Sequence, residues 1–305
     1  MSSTGAAQLC DTGNPCPTGQ SCVWSRLQPG LQVCASTLSA EPRDGACPLP
    51  DQMSAMSGRS CELDGDCAGG ERCCARVSVG GQRSLHCVQA LPIPQEPSYT
   101  IILPGSMEMA PQGIMKVTGT VTLVQSNGQN ILFDTGFTSD RLRLIRSLEA
   151  NGLYVEDMDF VVTSHGHPDH SGNGNLFPNT PNNFNTFQGL WDGLYNNGLP
   201  DARMMPLDDE RLEILQTPGH TDQDTVLVVR DVPGQGTVVL AGDIILFKDD
   251  TTMESMLMEG SKLPDMLSES RKMVACMADW IVPGHGPPFR ADEDYKSLFQ
   301  CPQAA

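Results

Sequence analysis

The stretch "VVTSHGHPDHSGN", from Val161 to Asn173, places three of the chain's six histidines within six positions. His165 and His167 stand two apart, and Asp169 precedes His170. The i, i+2 spacing lets two imidazoles reach one ion from an extended or turning backbone. Asp169 and His170 come a turn further on and can face a second ion. Neutral imidazole and carboxylate are the common nitrogen and oxygen donors for Zn²⁺, so the string reads as a divided ligand set.

Its neighbours along the chain strengthen that reading. "LEILQT" runs into "PGH" at His220, "TVVLAGD" ends on Asp243, "WIVP" runs into "GHG" at His285, and "ILFDTG" carries Asp134. Taken singly, His285 is a turn residue, Asp243 a strand-end carboxylate and Asp134 a turn former. Together they gather five histidines and the acids His and Asp chemistry needs at one set of strand ends.

The same stretches give the element pattern from Tyr99 onward. "TVTLVQSNGQNILFDTG" reads as two strands joined at Asn127-Gly128, a pair that tolerates the positive φ of a tight hairpin. "TSDRLRLIRSLEANG" reads as a helix capped at Thr138 or Ser139, with Leu142, Ile145 and Leu148 on its apolar face and Gly152 ending it. Strands at "DFVVTS", "LEILQT", "TVLVVR", "TVVLAGD" and "WIVP" follow, with a longer helix around Leu263 to Ala278 before the last. The alternation predicts an α/β domain over residues 96–305.

Residues 1–95 are of another kind. Ten of twelve cysteines lie between Cys10 and Cys87, and "CDTGNPCPTGQSC" and "CELDGDCAGGERCC" share the spacing C-x5-C-x5-C, an internal repeat followed in each copy by a further cysteine, Cys34 or Cys87. A segment so rich in Gly, Ser, Pro and Asp buries little by itself and needs covalent staples. A structural zinc site is the competing reading, but no CxxC pair occurs and His86 is the region's only histidine. The second copy, with Cys47 in "GACPLP", resembles the whey-acidic-protein-type modules of secreted proteins, with six cysteines from Cys47 to Cys87 where such a module has eight. "LPIPQEPSYT" follows as an extended Pro-rich linker.

Net charge is −18, of which residues 100–305 hold −15. That sign disfavours gripping a phosphate backbone by charge alone. No run reaches the roughly 20 apolar residues of a membrane span, and "MSSTGAAQLC" lacks the features of a secretory signal, so the chain is expected to be soluble, and either non-secreted or already stripped of its signal.

"SHGHPDH", "TPGH", "AGD" and "VPGHG", preceded by "FDTG", resemble the ordered motifs of the metallo-β-lactamase superfamily over about 200 residues from Tyr99. The resemblance implies an α/β fold, an αββα metallo-β-lactamase sandwich, here preceded by a small disulfide-rich module. It implies two Zn²⁺ ions, with iron or manganese able to take the same ligands. Site one would comprise His165, His167 and His220, and site two Asp169, His170 and His285, with Asp243 bridging. Asp169 and Asp134 are assigned to catalysis, the latter by steadying the ligand loop. The expected chemistry is attack by a metal-bound hydroxide with no protein nucleophile.

"GTVVLAGD", "VPGHGPPFR" and "GNGNLFP" are similar to one branch of that superfamily, the metallo-β-lactamase domain-containing proteins. This implies an endoribonuclease acting on single-stranded pre-mRNA, histone transcripts included. Two other readings stand beside it: a hydrolase of small esters, thioesters or lactams, and a secreted binding protein whose cysteine module recognises a protein partner. Every histidine of the α/β part is committed as a ligand, so a leaving oxygen would be stabilised by a metal ion or protonated by Tyr195 or Lys248. The loop "NLFPNTPNNFNTFQGLWDGLYNNGLP" offers aromatic and amide groups for a base, or is a polar surface loop. The cysteines favour an extracellular location, while the branch resemblance and the missing signal favour cytosol or nucleus. Oligomeric state is not legible.

Overall fold

A computed structural model describes residues 8–11, 13–36, 44–49, 52–55, 58–78, 80–111, 115–184, 187–189, 195–196, 204–206 and 211–302. Two compact units are formed, one from residues 1–93 and 141–157, the other from residues 94–140 and 158–305.

The larger unit holds two mixed sheets. The first orders its strands as 195–196, 187–189, 182–184, 160–163, 129–133, 121–126 and 98–103, and the second as 204–206, 212–216, 225–232, 236–242, 280–283 and 289–290. The expected hairpin forms as the antiparallel pair Val121–Ser126 and Gln129–Phe133, turning at Asn127 (φ 50°) and Gly128 (φ 77°). Period-two alternation decides what each strand faces. Leu227, Val229, Val238, Leu240 and Val282 of the second sheet pack with Val124, Ile131, Phe133 and Val162 of the first, forming the core between the sheets. The alternate residues Val226, Val228, Val239 and Ile281 turn outward onto Leu267, Val274 and Ala275 of the helix Pro264–Met277 and Tyr295 of the helix Glu293–Leu298. Cys276 and Cys301 form a disulfide that ties the chain beyond Leu298 back to the longer helix. No helix among the described residues is long and apolar enough to cross a membrane.

The smaller unit is stapled by five disulfides, Cys10–Cys22, Cys16–Cys34, Cys61–Cys73, Cys67–Cys87 and Cys47–Cys74. The sequence repeat is a structural one. In each copy the first cysteine pairs with the third and the second with the trailing one, and the last two sit opposite each other on a hairpin: Cys22 opposite Cys34, and Cys73 opposite Cys87. Cys47–Cys74 has no counterpart in the first copy.

The helix Arg141–Ala150 belongs to this unit. Its buried side chains are Leu144, Ile145 and Leu148. Leu142, expected on that face, is 45% exposed: the buried stripe runs through Leu144 and Leu148, one helical turn apart, with Ile145 at its edge, and Leu142 lies a further step round the helix beyond Ile145. A buried ionic network joins the unit's two segments: Asp64 meets Arg26 at 2.7 Å and Arg72 at 3.0 Å, Arg72 meets Asp157 at 2.7 Å, and Arg26 meets Glu156 at 3.1 Å. Tyr154 lies beneath the Arg26 guanidinium, 3.9 Å from ring centre to Cζ, and its hydroxyl accepts from Ala75 N–H at 2.8 Å.

Candidate metal centre

Five strands of the two sheets end at one edge of the larger unit, and each delivers a polar residue there. Asp134 follows Gln129–Phe133, His165 and His167 follow Phe160–Thr163, His220 follows Leu212–Gln216, Asp243 follows Gly236–Gly242, and His285 follows Trp280–Pro283. Asp169 and His170 sit on the one-turn helix Pro168–Ser171, which His167 opens in extended conformation. That turn separates the two halves of the histidine string.

All seven residues read as ligands from the sequence converge, as two groups. Donor atoms of His165, His167, His220 and Asp243 lie within 4.8 Å of one another, and so do those of Asp169, His170 and His285. In the first group His167 Nδ1 is 2.8 Å from His165 Nε2 and 3.0 Å from His220 Nε2, and Asp243 Oδ2 is 3.4 Å from His220 Nε2. In the second, His170 Nε2 is 3.6 Å from Asp169 Oδ2, and His170 and His285 Nε2 each lie 3.1 Å from Asp243 Oδ1. Asp243 thus lies between the groups, with Oδ1 toward the second and Oδ2 toward the first, Oδ2 also standing 3.2 Å from His285 Nε2.

The tautomers of three rings follow from their other nitrogen. Nδ1–H of His170 donates to Asp134 Oδ2 at 2.7 Å, that of His285 to the Thr118 carbonyl at 2.9 Å, and that of His165 to Ser164 Oγ at 3.0 Å. Ser164 Oγ in turn donates to Asp134 Oδ2, and Ser164 N–H to Asp134 Oδ1. Each of these rings is left with Nε2 directed at the centre. Ser164 and Thr118 were not read from the sequence. Ser164 stands directly before the histidine string, a positional clue, whereas a carbonyl contact such as that of Thr118 leaves no trace in residue type.

Burial and like-charged neighbours hold His165 well below the ordinary imidazole value, so it is neutral and can ligate. Burial opposes protonation of His170 too, but Asp243 and Asp134 on either side carry it well above that value. The field between those carboxylates therefore favours positive charge. The loop of His220 is fastened by Asp224, which accepts from Thr221 N–H and Oγ1; burial pushes its carboxyl up to about 7.

Buried polar atoms normally have partners. Here Asp169 Oδ2, His170 Nε2 and Asp243 Oδ1 are buried without a hydrogen bond, although they lie close together. Tetrahedral Zn²⁺ with bonds of about 2.0–2.1 Å needs donors about 3.3–3.4 Å apart. The separations above bracket that figure, so the residues present fit a pair of divalent cations.

Residues 115–183 match the family model of the metallo-beta-lactamase superfamily, and residues 43–90 match the WAP-type (Whey Acidic Protein) 'four-disulfide core'. The chain is 36% identical over 207 residues to metallo-beta-lactamase domain-containing protein 1 of Xenopus laevis, covering 65% of the chain and 84% of that protein. The chain belongs to the metallo-β-lactamase superfamily.

Other relatives are covered less fully. The Homo sapiens protein of the same name is 40% identical over 161 residues, 52% of this chain and 59% of that one. An uncharacterised protein of Caenorhabditis elegans is 29% identical over 191 residues, 61% of this chain and 52% of that one. The chain thus spans about half the length of the latter. A metallo-beta-lactamase-like protein of Thermotoga maritima matches in structure with TM-score 0.50 at 18% identity, over 64% of this chain and all of that one, a likeness of fold alone. The fold is accordingly the metallo-β-lactamase αββα sandwich preceded by a disulfide-rich module.

Of the groups considered for protonating a leaving atom, Lys248 is exposed, and the side chain of Tyr195 lies outside the described residues. Residues 185, 186, 190–194 and 197–200 of the Asn- and aromatic-rich loop lie outside them as well.

Proposed function

We propose that the chain is a two-metal hydrolase, with His165, His167 and His220 holding one ion, Asp169, His170 and His285 the other, and Asp243 shared between them. The observation that carries this is the set of buried, hydrogen-bond-free donor atoms Asp169 Oδ2, His170 Nε2 and Asp243 Oδ1 facing one another. Two divalent cations, of which zinc suits the donors, would supply a Lewis acid and a water whose pKa falls to about 7. The protein's own contribution is orientation. Asp134 and Ser164 lock His170 and His165, Thr118 locks His285, and the Asp243 carboxylate is buried so that neither oxygen swings to solvent. With five histidines engaged, proton delivery to a leaving oxygen falls to another group, for which Lys248 is a candidate.

Two substrate readings follow. Single-stranded RNA is supported by the motif phrases that resemble the metallo-β-lactamase domain-containing branch. A small ester, thioester or lactam is favoured by a separate observation: all six disulfides are formed, one of them, Cys276–Cys301, within the hydrolase unit itself. Such pairing belongs to an oxidising compartment, away from pre-mRNA. In that setting the cysteine module would engage a protein partner.

The test is turnover of a fluorescent single-stranded RNA, a thioester and a chromogenic cephalosporin by zinc-loaded chain and by His167→Ala. RNA cleavage abolished by the substitution supports the nuclease. Intact RNA with thioester or lactam cleavage supports the small-molecule hydrolase. No turnover of any of the three, with metal bound, overturns both substrate readings.

A further inference from the structure

Asp243 and His285 reach the centre from different strands, and one loop sets both. After Asp243 the chain forms the loop Ile244–Asp250. Ile245 and Leu246 carbonyls accept the N–H groups of Gly284 (3.0 Å) and His285 (2.8 Å). The loop is thus the template against which the His285 turn is laid down.

The loop has backbone turns of its own, Ile244 N–H to the Ala241 carbonyl and Asp250 N–H to the Phe247 carbonyl, both 3.2 Å, and a buried ion pair braces it further. Arg271, on the helix Pro264–Met277, donates from Nη1 to the Ile244 carbonyl at 2.9 Å, one residue from Asp243. The same guanidinium grips Asp250 with both nitrogens, Nη1 to Oδ2 at 2.8 Å and Nη2 to Oδ1 at 2.6 Å. Asp250 Oδ2 also accepts from Leu246 N–H at 2.8 Å, the residue whose carbonyl holds His285. Both side chains are out of solvent, Arg271 at 3% exposure and Asp250 at 0%. The planar fork of Arg matches a carboxylate and a carbonyl together, which an ammonium cannot do.

We infer that Arg271 and Asp250 are positioning residues for the second metal: they act through the loop Ile244–Asp250 to hold Asp243 and His285 in register. This inference rests on the two-metal reading above. His165, His167 and His220 receive no backbone hydrogen bond from this loop, and the His220 loop is braced separately by Ser270 Oγ, which donates to the Pro218 carbonyl at 2.9 Å, so within the loop itself the pair reaches the first ion through Asp243.

The experiment is a competitive chelator titration with zinc on the full chain, giving two dissociation constants, paired with the absorption spectrum of the cobalt-loaded protein. Asp250→Asn and Arg271→Lys are compared with Leu227→Ala, a fully buried position of the core between the two sheets, outside the cluster that holds Ile244 and Ile245 of the loop. The expected result is a roughly 10- to 100-fold weakening of the second ion, the range seen when groups that orient metal ligands are removed, with the first ion changed by less than about threefold. Leu227→Ala should lower the melting temperature and leave the ratio of the two constants as in wild type. If the pair variants weaken both ions alike, or leave the ratio unchanged, the pair is structural only and the inference is overturned. A wild-type chain that takes up one ion or none removes the two-metal reading itself, an outcome seen before any variant is compared.

Discussion

His170 Nδ1 and Asp134 Oδ2 lie 2.7 Å apart, both fully buried, and Asp134 adopts φ 64° to make that contact. A non-glycine residue in the left-handed region costs about 1 kcal/mol or more, so the conformation is sustained by the three bonds Asp134 accepts from Ser164 and His170. Asp134→Ala should weaken metal binding about 10- to 100-fold. Metal content after dialysis against a weak chelator checks it; full retention of two ions would show that the ring is oriented without the carboxylate.

Gly284 stands where no side chain fits. A Cβ there would collide with Asp243 Oδ1 and crowd the Gly242 carbonyl at 2.9 Å. Gly284→Ala should therefore displace the shared carboxylate, abolish turnover and lower metal content while leaving the disulfide-rich unit folded. Metal analysis beside near-ultraviolet circular dichroism reads both effects, and normal metal content would contradict the placement of Asp243.

Acid stability should depend on Asp64. Burial alone would raise its carboxyl, but the hydrogen bond and charge of Arg26, the charge of Arg72 and Cys73 N–H hold it down at about 2. A depressed carboxylate stabilises the fold above its unfolded value, near 3.9, and that stabilisation is lost as pH falls through about 2. The shift corresponds to about 2 kcal/mol. Melting curves should separate wild type from Asp64→Asn at pH 7 and converge toward pH 2; a constant gap would show that charge is not the source.

Tyr154→Phe keeps the ring under Arg26 but removes the acceptor for Ala75 N–H. Leaving that group unpaired should cost about 1–2 kcal/mol. Denaturant unfolding is the measurement, and an unchanged midpoint would mean that solvent satisfies the amide.

Much of this architecture was legible because side-chain chemistry and strand ends coincide. The HxHxDH string, His220, Asp243 and His285 each follow a short apolar strand, and the strands from Phe160 to Pro283 lie where periodicity set them. The hairpin at Asn127-Gly128 followed from the positive φ both residues accept. Leu142 was misplaced because a strict i, i+3 series drifts round the helix, whereas the buried stripe follows the i, i+4 pair Leu144 and Leu148 with Ile145 at its edge. The Arg271–Asp250 pair was illegible for another reason: the two residues are 21 apart, on a helix and a loop, and neither carries a recognisable spacing. The Cys276–Cys301 link and the partition of helix Arg141–Ala150 into the smaller unit are likewise products of tertiary packing.

The two-segment make-up of the smaller unit bears on how the chain is made. Its ten disulfide-forming cysteines lie between residues 10 and 87, so both hairpins can close while synthesis is still under way. Glu149, Glu156 and Asp157, which answer Arg83, Arg26 and Arg72, emerge only later. Were the disulfides to close in that interval, the early part would be covalently stapled while these three arginines lack those acidic partners. A fragment ending at the proline linker would then be stapled but electrostatically unfinished.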